Sequence, residues 1–156
     1  MAQDATAHSL LELLHRASQR ADYVFVRTVG ANGLTPRQFV VLHAVSETDG
    51  LSQTDIMAAT GIDRSSTADL VRRLVSSGLL KRRRTRRDAR LYAVRLTIKG
   101  RQMLPIGEAA ARAADEVLLA IVGQAQRSAF LKALTLVATL MGYAPRWLRY
   151  RHTLGA

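Results

Sequence analysis

The chain has no cysteine in its 156 residues. That absence removes disulfides, thiolate catalysis, cysteine metal sites and thiol redox sensing together. Long apolar runs are missing too, and none approaches the ~20 residues a membrane span requires. The opening "MAQDATAHSL" carries Asp4 and lacks a basic-then-apolar signal pattern. The expectation is a cytoplasmic protein with no membrane association. No G-x-S-x-G, P-loop or G-x-G-x-x-G occurs, and His8, His15, His43 and His152 lack metal-ligand spacing. Ser65 and Ser66 have no histidine nearby in sequence, and a helix-cap role explains them without catalysis. Neither an enzyme nor a cofactor or metal is expected. Acids are scarce as well. Twelve stand against 23 Lys plus Arg, for a net charge of +11, and such an excess points to a polyanionic partner, nucleic acid ahead of an anionic membrane surface.

What is present suffices for a folded domain, since 48% of residues are apolar and 22% charged, a balance that argues against wholesale disorder. From about His8 to Val29, apolar residues recur at helical spacing through Leu10, Leu14, Ala17, Ala21 and Val24. "GANG" breaks that helix, and "LTPRQF" starts the next. Thr35 caps it, Pro36 suits the first helical position, Gln38 completes a capping box, and Leu34 with Phe39 forms a hydrophobic staple.

"LSQTDIMAATGIDRSSTADLVRRLVSSG" then reads as two short helices joined by a tight turn. Ser52 caps the first, with Asp55 as its partner, and Gly61 stops it; Asp63 caps the second, and Gly78 ends it. This is the outline of a helix-turn-helix or of an ordinary αα-hairpin. The second helix separates the two. Thr67, Leu70, Val71, Leu74 and Val75 share one face; Ser65, Asp69, Arg72 and Ser76 share the other, with Arg73 at its margin. A merely solvated face would be filled by Lys and Glu, and neither occurs between Asp63 and Gly78. Small hydroxyl residues let a backbone approach a groove, and an arginine can fork onto guanine.

Next comes "LLKRRRTRRDARLYAVRL", in which seven cations and one acid lie between Lys81 and Arg90. Two strands joined by a "TRRDA" tip behind a helix-turn-helix make a wing. Its charge would lie beside the DNA backbone and its tip would reach the adjacent minor groove. Asp88 then orients Arg90 by a charge-assisted hydrogen bond. The competing reading is a basic hairpin exposed to solvent without DNA. Membrane binding would want the arginines and an apolar stripe on one helix, and here they are separated.

Thr97 caps a long helical stretch in which Pro105 should introduce a kink or mark the true start a turn later. After Gly123 a last helix aligns Phe130, Leu134, Val137 and Met141 on one stripe. With the first helix, these segments exceed what one small chain can bury, and a helical dimerisation layer is expected. The fold class is mostly α with a small two-stranded β wing. One domain divides into a dimerisation helix (1–33), a winged helix-turn-helix lobe (34–97), C-terminal dimerisation helices (98–143) and a basic tail (144–156).

Residues Gly78, Leu79, Arg82, Asp88, Arg90, Val94, Leu96, Thr97, Gly100 and Pro105 within "GLLKRRRTRRDARLYAVRLTIKGRQMLP" closely resemble the wing and following helix of the MarR family of transcriptional regulators. "LTPRQFVVLHAV" and the helix-turn-helix stretch resemble the helices before them, and the likeness spans about residues 10–142. "DRSSTADLVRRL" and "RRRTRRDAR" are similar to members that regulate aromatic-compound degradation. The wing departs from the family in lacking the acid-plus-proline many relatives carry before the Asp. The resemblance implies a homodimer on a palindromic operator, repression by default, and in many members release by a small aromatic or carboxylate-type ligand or its thioester. Expected DNA contacts are Arg37, Ser52, Gln53, Arg64, Ser65, Ser66, Thr67, Asp69, Arg72, Arg73, Arg83, Arg86, Arg87, Asp88 and Arg90. Candidate ligand contacts are Tyr23, Arg27, Phe39, His43 and Met103. A constitutive DNA binder without ligand response is the competing function.

Overall fold

A side-chain cap starts each of the first five helices of the computed structural model, which describes residues 9–84 and 92–140. Helix α1 (Leu10–Val29) begins where the Ser9 hydroxyl accepts from the Glu12 N–H and the Glu12 carboxylate accepts from the Ser9 N–H. Thr35 and Gln38 repeat this box at α2 (Pro36–Glu47), with Pro36 at the first position. Ser52 and Asp55 repeat it at α3 (Gln53–Thr60). Asp63 caps α4 (Arg64–Ser76), and Thr97 caps α5 (Ile98–Ile121); α6 (Gln124–Leu140) follows. Gly61, left-handed at φ +71°, stops α3 and turns the chain into α4, a conformation that costs an L side chain energy.

The strands β1 (Leu80–Arg84) and β2 (Tyr92–Leu96) pair antiparallel, with Leu80 opposite Leu96 and Arg82 opposite Val94. A third edge was not legible in the sequence: the Val94 N–H donates to the Leu51 carbonyl at 2.8 Å, so the segment before α3 closes onto the wing. The expected wing tip and the tail, with Met141, lie outside the described residues.

The core lies in the helix-turn-helix lobe, where Val41, Leu42, Ile56, Val71, Leu74, Leu80 and Val94 are buried. Phe25 and Val29 of α1 and Ala110 of α5 belong to the same cluster, which ties the outer helices to the lobe. Close backbone approach fixes that tie. A β-carbon on Gly100 would overlap the Leu79 carbonyl, and one on Gly107 would overlap the Phe39 ring.

Pro105 does not mark the start of a helix, because α5 runs unbroken from Ile98. The ring removes one amide donor, and the carbonyl that loses its partner belongs to exposed Arg101. Gly100, Gly107, Ala110 and Ala114 are buried on either side of it, so packing along α5 outweighs the local cost.

Outside the lobe the chain leaves apolar surface uncovered. Only Phe25 and Val29 of α1 are buried, and Leu10, Leu11, Leu13 and Leu14 are exposed. On α6, Phe130, Leu134 and Val137 share one exposed stripe. Among the described residues, no helix is long and apolar enough to cross a membrane.

Candidate nucleic-acid interface

Helix α4 turns one face inward and presents the other. Val71 and Leu74 are fully buried, whereas Ser65, Arg72, Arg73 and Ser76 are exposed. Thr67 belongs to the buried face. It is 0% exposed and its hydroxyl donates to the Ile62 carbonyl at 3.1 Å. This corrects its place among the expected DNA contacts: Thr67 satisfies a core carbonyl, and a group buried this way cannot reach a groove.

The N-terminus of α4 is organised by Asp63. One carboxylate oxygen, Oδ1, accepts from the Ser66 N–H at 2.9 Å and from the Ser65 hydroxyl at 2.7 Å. These bonds, the Ser66 backbone N–H foremost, hold the Asp63 carboxyl far below the usual carboxylate range. They also constrain Ser65. Its single proton is committed to Asp63, so as placed the hydroxyl is left with acceptor capacity alone. Arg64 follows at the first helical position, exposed.

Further along the same face, Asp69 bridges two arginines. Its Oδ1 pairs with the Arg72 guanidinium and its Oδ2 lies 2.7 Å from Arg73 Nε. Sequence reasoning placed the three together but gave Asp69 no such role. The pairing follows from the i, i+3 and i, i+4 spacings.

The exit of α4 is tied to α5 by contacts across 18 or more residues. The Thr97 N–H donates to the Leu79 carbonyl at 3.1 Å, and the Thr97 hydroxyl lies 2.6 Å from the Gly78 carbonyl. Lys99 Nζ donates to the Ser77 carbonyl at 3.0 Å, where a cation meets the negative end of the helix. At the wing root Arg95 pairs with Asp49 at 3.2 Å. Neither Lys99 nor Arg95 was singled out from the sequence, because both partners are distant along the chain.

The remaining expected contacts lie on other elements. Lys81, Arg82 and Arg83 are all exposed on β1, so alternation along the strand hides none of the three. Arg37 is exposed in the first turn of α2. Ser52 and Gln53 are half-buried at the start of α3, and the Ser52 hydroxyl already donates to Asp55 at 2.7 Å. Arg86, Arg87, Asp88 and Arg90 lie outside the described residues.

The candidate ligand residues divide. The Phe39 ring centre lies 5.5 Å from that of Phe25 and 5.7 Å from that of His43, both pairs tilted, and the ring also sits against Gly107 of α5. Met103 lines a groove of about 150 Å³ with Gln38, Ser77 and Lys99. Tyr23 and Arg27 are exposed and stand about half a helical turn from buried Phe25. They therefore do not join Phe39 and His43 within the chain. The Arg20 guanidinium carbon lies 6.0 Å from the Tyr23 ring centre, as expected of a surface platform.

Known proteins match this geometry along most of the chain. The model of the MarR family matches residues 32–91. A putative transcriptional regulatory protein for the hcr operon of Thauera aromatica is 31% identical over 76% of this chain and 72% of its own length. The transcriptional repressor CouR, solved bound to a 23-mer DNA duplex, is 32% identical with a TM-score of 0.74, covering 83% of this chain and 92% of that one. Bordetella bronchiseptica BpsR, described for regulation of DNA binding by 6-hydroxynicotinic acid, is 28% identical with a TM-score of 0.76, covering 86% of this chain and 97% of that one. The chain belongs to the MarR family: it is a DNA-binding transcriptional regulator and not an enzyme.

Proposed function

We propose that this regulator is a repressor that binds a palindromic operator as a homodimer and is released by a small aromatic carboxylate or its thioester. The observation that carries the operator reading is the exposed face of α4, where Ser65, Arg72, Arg73 and Ser76 stand clear of the core. An α-helix with that face fits a major groove, and Arg72 reaches base edges there. Arg37, Arg64 and Arg83 supply phosphate contacts around it. Arg86, Arg87, Asp88 and Arg90 join the set by sequence, with Arg90 beside the minor groove and Asp88 as its tether. The exposed apolar stripes of α1 and α6 support the homodimer.

Selection from a pool of random duplexes tests this. The expected product is a two-fold symmetric sequence with half-sites centred about one helical turn apart, roughly 10–10.5 base pairs. An asymmetric site, or no enrichment, would overturn the operator reading.

Support for the effector is the Phe25, Phe39 and His43 ring cluster beside α5, together with the 28% identical BpsR, whose DNA binding 6-hydroxynicotinic acid regulates. A panel of aromatic carboxylates and thioesters should contain a compound that weakens operator binding. At 100 times its dissociation constant, it should also add ~2.7 kcal/mol of stability. A panel that changes neither would favour a constitutive DNA binder.

A further inference from the structure

Asp69 is the one acid in α4 and stands amid Ser65, Arg72 and Ser76 on the exposed face. A carboxylate at the centre of a surface meant for DNA repels phosphate, so its presence needs a reason. Both its oxygens are engaged, Oδ1 by the Arg72 guanidinium and Oδ2 by Arg73 Nε at 2.7 Å. The two arginine side chains are 73% and 68% exposed, so packing does not choose their rotamers. The carboxylate does.

We propose that Asp69 is a positioning residue for sequence readout, which sets Arg72 and Arg73 as a fixed fork and withholds charge from indiscriminate phosphate attraction. The inference rests on the reading that α4 enters the groove. A guanidinium has five N–H donors. Arg72 engages Asp69 through one nitrogen, Nη2, and Arg73 through Nε, which leaves each arginine donors for a base edge while the pair persists. On DNA of arbitrary sequence the arginines are drawn to phosphates instead. Leaving Asp69 would strand its carboxylate against the DNA backbone, and that cost falls on non-specific binding. The carboxylate thus trades affinity for discrimination. Removing its charge raises the net charge from +11 to +12.

The test measures dissociation constants of the full chain for its selected operator and a scrambled duplex across a salt series. The proteins are wild type, Asp69→Asn, Asp69→Glu, Arg72→Ala and the Asp69→Asn/Arg72→Ala double variant, each with its melting temperature. Asp69→Asn should bind the scrambled duplex several-fold tighter, with a salt slope steeper by about one unit. Its operator-to-scrambled ratio should fall about tenfold, the scale of one base contact. Asp69→Glu, which keeps charge and pairing, should restore most of that ratio. The double variant should show the ratio of Arg72→Ala alone, because both changes disable one unit. An unchanged or larger ratio in Asp69→Asn would overturn the inference. So would additive losses in the double variant, the signature of Asp69 accepting directly from a cytosine amino group. A wild type that itself fails to discriminate would overturn the operator reading, and this inference with it.

Discussion

Asp63 caps α4, fixes the Ser65 hydroxyl and carries a carboxyl shifted strongly downward, all through its bonds to Ser65 and Ser66. Because the folded value is depressed, the stability Asp63 contributes is present above its unfolded value, about 3.9, and is lost as pH falls toward the folded one. Asn caps nearly as well but does not titrate. The melting-temperature advantage of wild type over Asp63→Asn should therefore shrink as pH drops from about 6 to about 3, and a constant gap would contradict the linkage. Arg72 is the residue from which base discrimination is expected. Arg72→Ala should cost ~1–3 kcal/mol on the operator and much less on random DNA. Equal losses on both would make Arg72 a phosphate contact. The helical period already placed Arg72 outward and Val71 inward in the sequence. It placed Thr67 inward too, and listing Thr67 as a DNA contact gave its hydroxyl precedence over its face. The structure reverses that order.

Elements were legible wherever their signals were local. The boxes at Thr35 and Ser52, the caps at Asp63 and Thr97, and the turn at Gly61 involve residues at most four apart, and each holds. What was missed depends on partners far along the chain: the Leu51 bridge to Val94 and Lys99 on the Ser77 carbonyl. Gly100 carries the closest of these approaches, since its helix backbone sits against the Leu79 carbonyl. Gly100→Val should destabilise the fold by ~1–3 kcal/mol, read by denaturant midpoint, and an unchanged midpoint would contradict the packing described. On the wing, Arg83 is exposed and paired in register with Ala93. Arg83→Ala should weaken all DNA about evenly and lower the salt slope by about one unit. Selective loss on the operator would assign it to readout instead.

At the scale of the molecule, the lobe buries its own core while α1 and α6 hold out apolar stripes that remain exposed among the described residues. Patches of this kind mark interaction surfaces, and a second copy presents the same stripes in return. Leu134→Asp and Val137→Asp would each set a charge in that seam, since both residues lie on the exposed α6 stripe and outside the buried core. The lobe should fold in the double variant, so assembly and folding can be separated by circular dichroism. The most direct test is sedimentation of wild type and this double variant with one operator duplex. The account predicts two protomers per duplex for wild type, and for the variant a monomer with operator affinity reduced by orders of magnitude. A complex of one protomer per duplex, of equal affinity in both proteins, would contradict it.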